Sequence, residues 1–124
     1  MSIEFSKSVP NIKLICEILD CCDPIYHTDI AYEAIYRFKL NEDIVSISLR
    51  ILCKSATGPV DDRLVALLDS YSAIEMNENL RCIAMESLKL VKSDLLKFFP
   101  QTIYSLLLDD DEELRNEACQ ILNS

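Results

Sequence analysis

One glycine, four prolines, no tryptophan and a single histidine are all that this 124-residue chain holds of several structure-defining residue types. So little turn-forming material excludes a collagen-like chain and argues against a sheet built from many hairpins. Basic charge is also scarce: 12 Lys and Arg stand against 21 Asp and Glu, a net of −9. That balance opposes direct binding to nucleic acid or to an anionic membrane surface. No apolar run approaches the ~18 residues that a membrane-spanning helix requires. The opening MSIEFSKSVP has neither the charged nor the apolar region of a secretory signal, so a cytoplasmic location is expected.

Motifs that carry chemistry are missing as well. There is no glycine-rich phosphate loop, no G-x-S-x-G and no H-E-x-x-H. The six cysteines, Cys16, Cys21, Cys22, Cys53, Cys82 and Cys119, include no C-x-x-C pair. With no signal peptide they read as reduced, small hydrophobic residues. Cys21 and Cys22 are adjacent, a poor geometry for gripping one metal ion together, and His27 would need ligands from elsewhere. The acidic run Asp109 to Glu113 lacks the glycine and the spaced ligands of a calcium loop. Cys53 or Cys119 as a nucleophile would need His27, and nothing in the sequence places it beside either. No enzyme activity, cofactor or metal is therefore expected.

What the chain does have is helical periodicity. Half of its residues are apolar, enough to bury a core, and they recur at steps of three and four. Leu95, Leu96, Phe99, Ile103, Leu106 and Leu107 fall on one helical face, and Leu114, Ala118, Ile121 and Leu122 on another. The acidic run between them would repel itself within a helix. At a helix start it satisfies free N–H groups and meets the positive end of the dipole. Pro100 removes a hydrogen bond and should kink the first helix or split it near Phe99.

Upstream, Asn11 can cap an apolar helix over 11–22, and Pro24 begins a turn. Thr28 is expected to cap a helix from Asp29 to about Leu40, and Asn41 one from Glu42 to about Ser55. Gly58 suits a helix C-terminus and Pro59 the first residue of the next helix. Ser70 to Met76 reads as a connection, Asn77 caps a helix to about Lys92, and Ser93 caps the following one. The expected domain is a single one over 1–124: a helix at 11–22, then hairpins over 28–55, 59–92 and 93–123.

The second helices of these hairpins share a large–small–large pattern at steps of four: Ile44–Ser48–Leu52, Leu80–Ala84–Leu88 and Leu114–Ala118–Leu122. Residue numbers advance by 36 from Ile44 to Leu80 and by 34 from Leu80 to Leu114. A small central residue lets a neighbouring helix approach closely. Arg81 and Arg115 hold equivalent places, whereas the first copy has Val45. A period of this size is the mark of stacked repeats, which cannot bury their apolar faces alone.

Pro100, Leu106-Leu107, Asp109, Leu114-Arg115 and Ala118 together resemble the HEAT/armadillo-type helical repeat family. The resemblance implies an all-α fold: a right-handed superhelix (α-solenoid) of about three antiparallel hairpins plus an N-terminal helix. It also implies that Arg81 or Arg115 pairs with a turn acid such as Asp109 of a neighbouring repeat. LLLDDDEELRNEA is further similar to turns in the thyroid-adenoma-associated protein family of tRNA 2′-O-methyltransferase adaptors. The tetratricopeptide Trp-Gly-Tyr signature and the ankyrin T-P-L-H are absent.

The expected function is a non-catalytic protein-binding scaffold or adaptor. Arg50, Glu86 and Gln120 form one column beside the buried face of the second helices, and Cys53, Lys89 and Asn123 a neighbouring one. A strip with both signs of charge suits protein contact better than a phosphate backbone. The ends lack polar outer faces, so a longer solenoid, or self-association through them, is expected. Two alternatives stand beside this reading: a regulatory subunit of a tRNA 2′-O-methyltransferase, and a non-repeat helical bundle with a thiol or metal role.

Overall fold

The computed structural model describes residues 24–123. The expected helix 11–22 lies outside the described residues, as do Cys16, Cys21, Cys22 and the side chain of His27. The described residues form six α-helices, one 3-10 helix and no strand. The α-helices are α1 (Pro24–Arg37), α2 (Glu42–Lys54), α3 (Asp62–Ser72), α4 (Glu78–Leu88), α5 (Pro100–Leu107) and α6 (Glu112–Leu122); the 3-10 helix is Ser93–Phe98.

Three hairpins, α1–α2, α3–α4 and α5–α6, are built in one way at the start of their second helices. Asn41 Oδ1 accepts from Ile44 N–H at 3.1 Å, and Asn77 Oδ1 from Leu80 N–H at 2.9 Å. Asp111 Oδ1 accepts from Glu113 N–H at 2.8 Å and from Leu114 N–H at 3.3 Å. Each cap therefore holds the N–H of the residue that opens the large–small–large set. Capping satisfies donors that the helix leaves free, and it fixes where the buried face begins.

The helices meet in a consistent order. Within each hairpin the two partners pack together; between hairpins α2 meets α4, α4 meets α6, and α3 meets α5. One continuous core results. Ile44, Ser48, Leu80, Ala84 and Leu88 have no exposed surface, and Leu52, Leu114 and Ala118 almost none. Leu122 departs from its set and is 55% exposed. It sits in the last turn of α6, and among the described residues no helix lies beyond α6 to cover it.

Several boundaries differ from expectation. Helix α1 begins at Pro24, not at Asp29, because proline fits the first turn, where its missing N–H costs nothing. Thr28 is thus inside the helix and caps nothing. Helix α1 also ends at Arg37, leaving Leu40 72% exposed. Gly58 and Pro59 belong to a connection: α2 closes at Ser55, and α3 starts only after Asp61, whose carboxylate accepts from Arg63 N–H at 2.8 Å. Burial of Val60 holds that connection against the core.

Helix α3 runs on to Ser72, since Tyr71 continues the Leu64, Leu67, Leu68 face and its hydroxyl donates to the Lys39 carbonyl at 2.7 Å. Helix α4 stops at Leu88, where Lys89 N–H turns back to the Met85 carbonyl. Ser93 opens a 3-10 helix and makes no side-chain cap. The chain then splits at Phe99, and Pro100 stands first in α5. Phe99 itself is completely buried.

Candidate interaction surface

Two polar links tie α4 to the last hairpin, and each spans 28 residues of sequence. The first is buried. Arg81 Nη1 donates to Asp109 Oδ1 at 2.6 Å, with the arginine side chain 12% exposed and the aspartate 0%. Asp109 Oδ1 also accepts from Asp111 N–H at 2.9 Å, and the Asp109 carbonyl accepts from Arg115 Nη1 at 2.6 Å. Arg81, Asp109 and Arg115 thus meet in one turn, but with unequal roles: Arg81 takes the carboxylate, Arg115 the backbone. Asp109 Oδ2 and Arg81 Nε have no hydrogen-bond partner among the described residues.

The second link lies two helical turns further along, at the surface. Lys89 Nζ donates to Glu117 at 2.6 Å across to α6 and to Glu86 at 3.1 Å within α4. The two carboxylates, Glu117 foremost, raise the Lys89 ammonium above its ordinary pKa. Lys89 is half-buried beneath them, so this link is more than a freely solvated pair.

The other strip residues are exposed. Arg50 on α2 lends its Nε to the Ser46 carbonyl at 3.4 Å, and Glu86 and Gln120 face outward on α4 and α6. The neighbouring column is interrupted. Cys53 is buried, so only Lys89 and Asn123 of that column reach the surface. Between Lys89 and Gln120 opens a cavity of about 280 Å³ floored by Leu88, Val91, Leu96 and Ile121. Sequence periodicity named Leu88, Leu96 and Ile121 as apolar positions but did not bring them together, because the cavity joins α4, the 3-10 helix and α6 with Val91 of the connection between the first two.

Two of the three free cysteines among the described residues have raised thiol pKa values. Burial pushes the Cys53 thiol up to about 12, so it is not a thiolate at neutral pH. Burial also raises Cys82, helped by the negative charge of Asp111 and Glu78. At the starts of α4 and α6 the carboxyls of Glu78 and Asp111 influence each other, so that Glu78 is raised and Asp111 lowered from their ordinary values. Three contacts had no signal in the sequence. Thr102 Oγ1 donates to Asp69 at 2.5 Å, Tyr71 reaches Lys39, and Arg63, paired with Asp61, lies 4.0 Å above the Tyr32 ring.

No family model, curated protein or solved structure matches this chain. No helix among the described residues is long and apolar enough to cross a membrane.

Proposed function

We propose that this chain is a non-catalytic protein-binding scaffold or adaptor, built of HEAT-like hairpins stacked into a right-handed superhelix. The observation that carries the reading is the order of helix packing. Second helices α2, α4 and α6 touch in series, and α3 touches α5, so each hairpin packs chiefly on its neighbours in sequence. The repeated cap-and-triad construction of α2, α4 and α6 supports it independently. Such a stack presents its second helices as one extended face. On that face Arg50, Glu86, Lys89 and Gln120 form a polar strip beside the Lys89–Gln120 cavity. A polar rim around an apolar floor is the anatomy of a protein contact.

Affinity purification with mass spectrometry tests the strip. Arg50→Glu with Lys89→Glu is expected to remove a partner that the wild-type chain retains. Because Lys89 also ties α4 to α6, a second variant separates binding from folding. Lys89→Glu with Glu117→Lys keeps an opposite-charge pair across the helices but reverses the surface pattern. Loss of the partner from both variants is the predicted result. Retention of the full partner list by both would sink the proposal.

A further inference from the structure

Outside that strip, the exposed apolar surface is unevenly placed. Among the described residues only six large hydrophobic side chains are exposed, and three of them, Ile74, Tyr104 and Leu108, line one groove. They are 49%, 59% and 62% exposed, and the groove encloses about 420 Å³ between the C-terminal end of α3 and α5. It lies on the first helices of the hairpins, whereas the strip lies on the second. Single exposed hydrophobic residues are ordinary on a folded protein; three gathered in one concavity mark a contact surface.

The occupant follows from three features. Tyr104 in the last turn of α5 and Leu108, the residue that caps its C-terminus, stand four residues apart, so they form an apolar ridge at that end of the helix. Both charged side chains that line the groove, Asp69 and Glu75, are acids. Asp69 is held in place by Thr102 Oγ1, which fixes its negative charge at the groove wall. Finally, the described residues hold no strand, so there is no sheet edge to which an extended peptide could add. We infer that this groove receives an amphipathic helix of a partner protein, seating apolar anchors at helical spacing and placing Lys or Arg beside Asp69 and Glu75.

The probe is a synthetic helical peptide of roughly 16 residues, with Leu at helical spacing on one face and Lys flanking it. Its control carries Glu in place of each Lys. Binding to the full chain is followed by fluorescence anisotropy and, with 15N-labelled chain, by amide shifts. The inference predicts saturable binding of the lysine peptide, with shifts centred on Ile74, Tyr104 and Leu108. The glutamate peptide and the Leu108→Lys variant should each weaken it by about tenfold or more. Leu108 is exposed, and an unchanged circular dichroism spectrum with an unchanged thermal midpoint confirms that the variant folds.

Shifts centred on Lys89 and Gln120, equal binding of the two peptides, or full affinity in Leu108→Lys would each overturn the inference. So would the absence of saturable binding. Sedimentation covers the remaining occupant: a dimer that Leu108→Lys dissociates would assign the groove to a second copy and refute the partner helix.

Discussion

Asp109→Ala is expected to destabilise the chain by about 3–5 kcal/mol, since it strands one member of a buried ion pair. The Asp109 side chain has no exposed surface, and its Oδ1 serves both Arg81 Nη1 and Asp111 N–H. Removing it leaves a guanidinium only 12% exposed without its carboxylate, and an N–H at the start of α6 without its acceptor. Natural domains carry about 5–15 kcal/mol in total, so the loss is a large share of the whole. Urea denaturation measures it, as a lower midpoint at unchanged slope.

The pair's net worth is a separate quantity. Arg81 Nε and Asp109 Oδ2 go without hydrogen-bond partners among the described residues, so desolvation offsets much of the attraction. Arg81→Met with Asp109→Leu should therefore recover part of what Asp109→Ala loses. A cost below about 1 kcal/mol for Asp109→Ala would place the pair in the class of solvated surface bridges and remove the proposed link between hairpins.

Phe99→Ala carries the other large expected effect, again about 3–5 kcal/mol, from lost transfer energy and the cavity left behind. Phe99 is fully buried at the point where the 3-10 helix gives way to α5. Its side chain is the apolar anchor between two short elements, neither of which has a side-chain cap. Phe99→Leu keeps most of the buried volume and should cost less than about 1.5 kcal/mol. Thermal unfolding of the two variants checks the pair of values. Equal, small losses for both would mean that the junction is not held by this ring.

The parts of the fold that were legible in sequence are those set by local chemistry. Asn41 and Asn77 announce their helices because a cap acts within one turn, and Pro100 marks the break at Phe99 because its ring acts on its own backbone. Other boundaries departed from the sequence reading, one of them through a distant contact. Helix α3 extends to Ser72 because Tyr71 finds a carbonyl 32 residues away, and no window around Tyr71 contains Lys39. Ala56 to Pro59 looked like a stop and a start; Asp61, two residues further on, makes the cap instead. Aligning the repeats puts Cys53 in a surface column with Lys89 and Asn123, but α2 is buried more widely than a single stripe, because α1 and α4 both pack on it.

The candidate surfaces divide in the same way. Periodicity located Arg50, Glu86, Lys89 and Gln120 on the outward side of their helices, because that question concerns one helix at a time. It said nothing of Glu117 as the partner of Lys89, since that contact depends on how α6 lies against α4. The Ile74–Tyr104–Leu108 groove was equally hidden: it joins the end of α3 to the end of α5 and belongs to no single period.

Serial stacking is the central claim, and a spin label on exposed Cys119 of α6 tests it most directly. The other cysteines except buried Cys53 are first replaced by serine. Amide signals are then compared with the label oxidised and reduced. Serial stacking predicts strong broadening in α4 and α5, less in α2 and α3, and least in α1. Broadening of α1 equal to that of α4 would contradict it, because only a closed bundle brings the first helix against the last.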